Sequence, residues 1–331
     1  RLIFPVIREL SLTDVPLAAG MARAVNFGTL RSLTLLRCQG WYVFLAWAIK
    51  LKLPIRLKTF GIHIIDNTSL VSNRLLIGAF LSSFKGLENL FIDEPERQGL
   101  LVFWDAVACH QPALKKFVHQ QRTCPSDRYA FSSARVVPRL PLLNLEMLQL
   151  QRGPFAAQLC DLDLEFVGLP CRPLLLVPVL SLCTRKTSLK VLHIRQPAPV
   201  RSGVQPCWAL HDRFVGRHPS LELRSTPSEI NNVISGCRDE TAAASLFRSG
   251  LRSEFRDFAE WVFGQHGIGS LQFLVFGDYS FGGRKSDNRL ILCRNPMLEK
   301  KSNFQILTRS DTDVYHLDEY RDALRACPTH A

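Results

Sequence analysis

The sequence predicts an α/β solenoid, a curved parallel sheet with helices on its convex side, irregular in its C-terminal half. Three observations predict it. Of 51 leucines, 38 precede residue 193. The triplet L-x-x-L-x-[LI] recurs at Leu30, Leu33, Leu35; Leu87, Leu90, Ile92; Leu145, Leu148, Leu150; Leu159, Leu162, Leu164; and Leu189, Leu192, Ile194. Relaxed triplets begin at Ile7, Leu57, Leu114 and Leu271, so first positions at 7, 30, 57, 87, 114 and 145 stand 23, 27, 30, 27 and 31 residues apart. That period is close to the roughly 20 to 29 residues of a leucine-rich repeat.

The elements follow from the period. In each unit the second and third triplet positions point inward from a short strand, and the first packs beneath them. One unit cannot bury its own leucines, so neighbours must stack. The return segments 17–25, 41–50, 70–84 and 101–110 are apolar-rich and long enough for two or more helical turns. Pro54, Gly61, Gly86, Pro95, Gly99 and Pro112 punctuate the junctions. Leu145 and Leu159 are 14 residues apart, too close for strand, helix and strand, so one of them reads as an irregular or accessory strand. Across 196–252 leucines thin out among Pro, Gly, Ser and Arg, which predicts an insertion or mobile loop. A helix over 254–264 and a strand over 271–276 then close the solenoid, and 288–293 also reads as strand. The resulting division is a solenoid over 1–195, an irregular insertion over 196–252, and a C-terminal repeat and capping region over 253–331.

Composition limits the function. With 47% apolar and 21% charged residues, disorder is excluded as the whole answer. Forty-one Lys and Arg against 29 Asp and Glu give a net charge of +12. The carriers come in pairs, such as Lys115 with Lys116 and Arg284 with Lys285, and never in a run of five. That argues against nucleic acid and for acidic protein partners. No apolar stretch approaches the roughly 20 residues of a membrane helix, so no membrane is expected. The ten cysteines form no C-x-x-C pair. They are expected as buried reduced thiols in an intracellular protein, cytoplasmic or nuclear. A triplet already runs at Ile7, so the chain reads as the interior of a longer parent.

Catalytic patterns were tested against the spacing their chemistry requires. The segment GDYSFGGRKS at 277–286 has phosphate-loop glycines at Gly277 and Gly282, but Gly283 occupies the Lys position, and a glycine-rich turn fits better. Cys207, His211 and His218 supply three of the four ligands of a structural zinc. Asp161, Asp163 and Glu165 alternate with Leu162 and Leu164 and read as a polar strand face. Neither G-x-S-x-G nor H-E-x-x-H occurs. The sequence therefore assigns no catalytic residue, no cofactor and no metal.

Four segments carry a resemblance: FLSSFKGLENLFIDEPE at 80–96, ALKKFVHQQRT at 113–123, SLKVLHIRQ at 188–196 and FRDFAEWVFGQHGIGSLQFLVFGDYSF at 255–281. They resemble fungal leucine-rich-repeat proteins of the F-box or F-box-like group. The resemblance implies an intracellular protein whose repeats present a partner-binding surface. In some members the repeats lie beneath an F-box module that docks a ubiquitin-ligase scaffold; here that module would lie upstream of Arg1. The expected function is a noncatalytic protein–protein interaction module, with the substrate-receptor portion of an F-box ubiquitin ligase as the alternative. Partner-facing positions flank the inward pair on the concave strand face: Thr34, His63, Phe91, Asp93, Gln149, Gln151, His193 and Arg195.

Overall fold

The computed structural model describes residues 4–64, 70–95, 103–122, 159–170, 173–195, 251–277, 279, 290–295, 302–307 and 312–327. They form an α/β structure whose ten strands make one open sheet in chain order. The first elements run β1 (Glu9–Thr13), α1 (Ala19–Ala24), β2 (Ser32–Leu36), α2 (Trp41–Lys50), β3 (Thr59–His63), α3 (Leu70–Ser82), β4 (Asn89–Pro95), α4 (Trp104–Ala108) and β5 (Lys116–Arg122). Then come β6 (Phe166–Leu169), α5 (Pro173–Leu180), β7 (Val191–Ile194), α6 (Ser253–Phe263), β8 (Phe273–Phe276), β9 (Leu290–Arg294) and β10 (Phe304–Leu307). A 3-10 segment, Thr312–Tyr320, leads into α7 (Arg321–Arg325). Strands β1 to β8 pair in parallel; β9 and β10 turn back antiparallel. This arrangement is compatible with a solenoid.

Register explains the leucines. Leu10, Leu33, Phe60, Leu90, Phe117, Val167, Leu192 and Leu274 are successive cross-strand partners. Side chains alternate across a strand, so this row and the one two residues on face the helices together. They join Phe44, Phe80, Trp104, Phe255 and Phe258 in one buried core. Phe60 meets Phe80 at 5.2 Å between ring centroids, and Phe117 meets Trp104 at 5.0 Å. Each fully buried large apolar side chain contributes about 1.5–3 kcal/mol. Gly40 begins α2 at φ 72°, where an added Cβ would strike the Leu17 carbonyl.

Several expectations change. The strand expected from the Leu159 triplet begins later: Leu159 lies in a helical turn, and β6 is built on Leu164, Val167 and Leu169, the same spacing with Val in the middle. Consequently Asp161, Asp163 and Glu165 precede the strand rather than lining it. Lys115 approaches Asp163 at 3.8 Å and Glu165 at 3.7 Å. The triplet at Leu145, most of 196–252 and most of 277–286 lie outside the described residues. Reduced thiols were expected throughout, but Cys160 and Cys183 are joined in a disulfide, while Cys38, Cys109, Cys293 and Cys327 are thiols as expected.

Two polar staples fix the turns below the core. Buried His110 accepts the Leu87 N–H through Nδ1 at 3.3 Å, and burial holds its imidazole down at a pKa of about 4. Arg294 donates to the carbonyls of Leu271 at 3.0 Å, Phe263 at 2.6 Å and Ile268 at 2.6 Å, holding the turn between α6 and β8. One residue ahead of each of β1 to β7 runs a row of charge: Arg8, Arg31, Lys58, Glu88, Lys115, Glu165 and Lys190. Their neighbours in the row are set by backbone hydrogen bonds from one strand's approach to the next. Lys58 pairs with Glu88 at 2.7 Å, and Lys190 with Glu165 at 3.6 Å.

Candidate functional site

The face opposite the helices divides into two parts. On β1 and β2 it is polar and open: Ser11 and Thr13 are exposed, and Ser32, Thr34 and Leu36 are half-buried. From β4 to β9 it turns apolar. Phe91, Val118, Phe166, Val191, Phe273 and Val275 project there and are buried in a second core. The other half of that core comes from the C-terminal segment, through Leu317, Tyr320, Ala323, Leu324 and Cys327.

Charge fixes the segment in place. Lys116 Nζ, on β5, donates to the Glu319 carbonyl at 2.8 Å and to Asp322 Oδ1 at 2.8 Å. Arg195, just past β7, donates through Nη2 to the carbonyls of Ala326 at 2.6 Å and Cys327 at 3.0 Å. Its Nε reaches across β6 to Gln120 Oε1 on β5 at 2.8 Å. A cation at the last carbonyls of a helix complements the negative end of its dipole. Phe166 stacks on Tyr320 at 5.8 Å. Burial, and then the charges of Glu319 and Glu165, pushes the Tyr320 phenol up to about 12.

A polar band crosses the carboxyl ends of the parallel strands. His63 Nδ1 lies 2.9 Å from Asp93 Oδ2, with both side chains buried. On the helix face, His119 Nε2 lies 2.9 Å from Glu94 Oε1, again buried. His193 Nε2 donates to the Gly277 carbonyl at 2.7 Å. Each pair joins neighbouring elements, and the hydrogen bonds of His119 and His193 spare buried polar groups a cost of about 1–3 kcal/mol. Among the described residues no group of three His, Cys, Asp or Glu side chains could hold a metal ion.

The sequence-derived positions thus have different fates. Thr34 is half-buried on the open part. The expectation of an open surface is corrected at His63, Asp93 and His193, which are buried with partners, and at Phe91 and Arg195, with 8% and 1% exposure. For Phe91 and Arg195 the reason is the C-terminal segment lying over β5 and β6. Gln149 and Gln151 lie outside the described residues. Sequence reasoning missed Lys116, Gln120, Tyr320 and Leu324. A signal existed in the spacing of Leu317, Tyr320 and Leu324, an apolar stripe at three and four residues.

No family model matches the chain, no curated protein matches it, and no solved structure matches it. Among the described residues no helix is long and apolar enough to cross a membrane.

Proposed function

We propose that the chain is a noncatalytic leucine-rich-repeat interaction module that binds a protein partner through the face opposite the helices. The observation that supports this most is the register. Leu33, Phe60, Leu90, Phe117 and Leu192, each the second position of a sequence triplet, stand on one row of a sheet that follows chain order. A face assembled from stacked units is long and shallow, and it suits a polypeptide better than a small molecule, which needs a concave pocket. The part offered to a partner is the strip of Ser11, Thr13, Ser32, Thr34 and Leu36. Exposed Arg8 and Arg31 stand at its lower rim. With a net charge of +12, the partner that fits is an acidic protein surface rich in hydrogen-bonding groups, approached faster because of that charge.

The test is substitution of Ser11→Trp together with Thr34→Trp in the full chain. Proteins that co-purify with the wild type are identified by mass spectrometry. The same proteins are expected to be lost from the variant while its melting temperature stays within about 2 °C, because open positions on a sheet contribute little to the core. Unchanged capture by the folded variant overturns the reading.

A further inference from the structure

We propose that the apolar part of the same face, over β4 to β8, is a receptor for an amphipathic helix, and that residues 312–327 occupy it as a built-in ligand that a partner helix displaces. This rests on reading the face opposite the helices as the interaction face, and it names the chemistry of the partner: apolar side chains at i, i+3 and i+7, an acidic one at i+5, and free carbonyls at its C-terminal end.

The two sides depend on each other unequally. The sheet needs an occupant, because without one Phe91, Val118, Phe166, Val191, Phe273 and Val275 would form a continuous apolar patch across five strands. It does not need this particular occupant. Arg195 takes the backbone carbonyls of Ala326 and Cys327, groups that any helix end supplies, and Lys116 takes that of Glu319, again a main-chain group independent of side-chain identity. The side-chain requirements are few. Leu317, Tyr320, Ala323, Leu324 and Cys327 are buried, whereas Asp318, Glu319, Arg321, Asp322 and Arg325 are exposed. Asp322 adds the one carboxylate that Lys116 meets. The segment has little stability of its own, since α7 has five residues and isolated helices shorter than about 12 are marginal in water. Its order comes from the surface beneath it, as it would for a bound peptide.

The experiment uses a fluorescein-labelled synthetic peptide of residues 312–327 as probe. It is titrated into the full wild-type chain and into the full chain carrying Tyr320→Asp and Leu324→Asp, which releases the built-in segment. The released chain is expected to bind at least about tenfold more tightly, because occupation in cis lowers the competent fraction. Adding Lys116→Glu to the released chain is expected to weaken the peptide by about tenfold, as is Tyr320→Asp in the peptide itself. A released chain that retains its circular dichroism and binds no better than wild type overturns the proposal. Hydrogen exchange on the unmodified chain decides independently of whether the variant folds. Amides of 317–326 are expected to exchange through a smaller opening than those of β5 to β8. Exchange of segment and strands in one cooperative step makes the segment a fixed part of the core and ends the idea. Failure here leaves the Ser11 and Thr34 strip untouched, since its partner capture is read separately. Loss of that strip's function leaves the peptide titration standing.

Discussion

Lys116 Nζ lies 2.8 Å from Asp322 Oδ1, although 206 positions separate the two residues in the chain. The contact brings the C-terminal segment to the middle of the sheet rather than to its end. Lys116 belongs to the face on which a partner was expected and Asp322 to the segment that covers it, so the first polypeptide to use that face is the chain itself.

The leucine row sets the largest single effect. Leu90 is fully buried between Phe60 and Phe117. Leu90→Asp should destabilise the fold by more than about 4 kcal/mol, through lost burial and an unpaired buried charge. Glu88→Ala, which breaks a half-exposed pair with Lys58, should cost less than about 1 kcal/mol. Urea melts of the two variants check the difference; equal shifts would mean that Leu90 does not point into the core.

His110 gives an acid limb to stability. Its folded pKa of about 4 lies below the ordinary 6.5, so the unfolded chain takes up a proton first as pH falls. The contribution is complete above 6.5 and is lost as pH falls from 6.5 towards 4. His110→Gln should flatten the melting temperature over that interval, measured by calorimetry at several pH values. An unchanged slope would show that His110 is protonated in the fold.

Tyr320 gives an alkaline limb of opposite sense. Its raised pKa of about 12 favours the neutral phenol in the fold, so its contribution is complete below 10 and falls as pH rises from 10 to 12. Ultraviolet titration should record one tyrosinate forming near pH 12, absent in Tyr320→Phe. Because the buried hydroxyl has no hydrogen-bond partner among the described residues, that variant should melt no lower than wild type.

Arg294 is a structural cation. Replacing it by Met removes donors from the Leu271, Phe263 and Ile268 carbonyls, with an expected loss of about 3 kcal/mol. Chemical denaturation measures it, and Arg294→Lys should recover only part, since an ammonium lacks the planar fork.

The disulfide between Cys160 and Cys183 spans a separation of 23 residues. Closing a loop of that size restricts the unfolded chain by about 3 kcal/mol. Dithiothreitol should therefore lower the melting temperature of the wild type and leave a Cys160→Ser, Cys183→Ser chain unaffected. Non-reducing peptide mapping that fails to find the linked pair would remove the basis for this expectation.

Strands β1 to β5, β7 and β8 were legible because a row of large apolar residues at fixed spacing is what each strand needs to cover its neighbour. β6 was displaced in the sequence reading because Val167 serves where Leu was sought, and burial rewards a β-branched side chain on a strand equally well. The cover on the second face escaped for a different reason. Leu90, Phe91 and Ile92, or Phe273 to Phe276, are apolar at consecutive positions. Such runs belong to strands buried on both sides, whereas an open face requires alternation. Thr34 obeys the alternating pattern and lies on the open part. Phe91 breaks it, and its 8% exposure follows.

The row of charge ahead of the strands carries information that the leucines lack, in its stretch from Lys58 to Lys190. The buried leucine row is nearly uniform, so it favours any unit beside any other. The charges are not uniform. From Lys58 the signs alternate through Glu88, Lys115, Glu165 and Lys190, with each residue's place fixed by backbone bonds to the next unit. Skipping one unit would set Lys58 beside Lys115, Glu88 beside Glu165, and Lys115 beside Lys190, like against like every time. Single pairs at this exposure count for little, but the penalty accumulates along the row while the leucines remain indifferent. Reversing Glu88 and Glu165 to Lys should therefore reduce the yield of correctly refolded chain more than it reduces its melting temperature, because the substitutions remove what distinguishes a neighbour from a stranger.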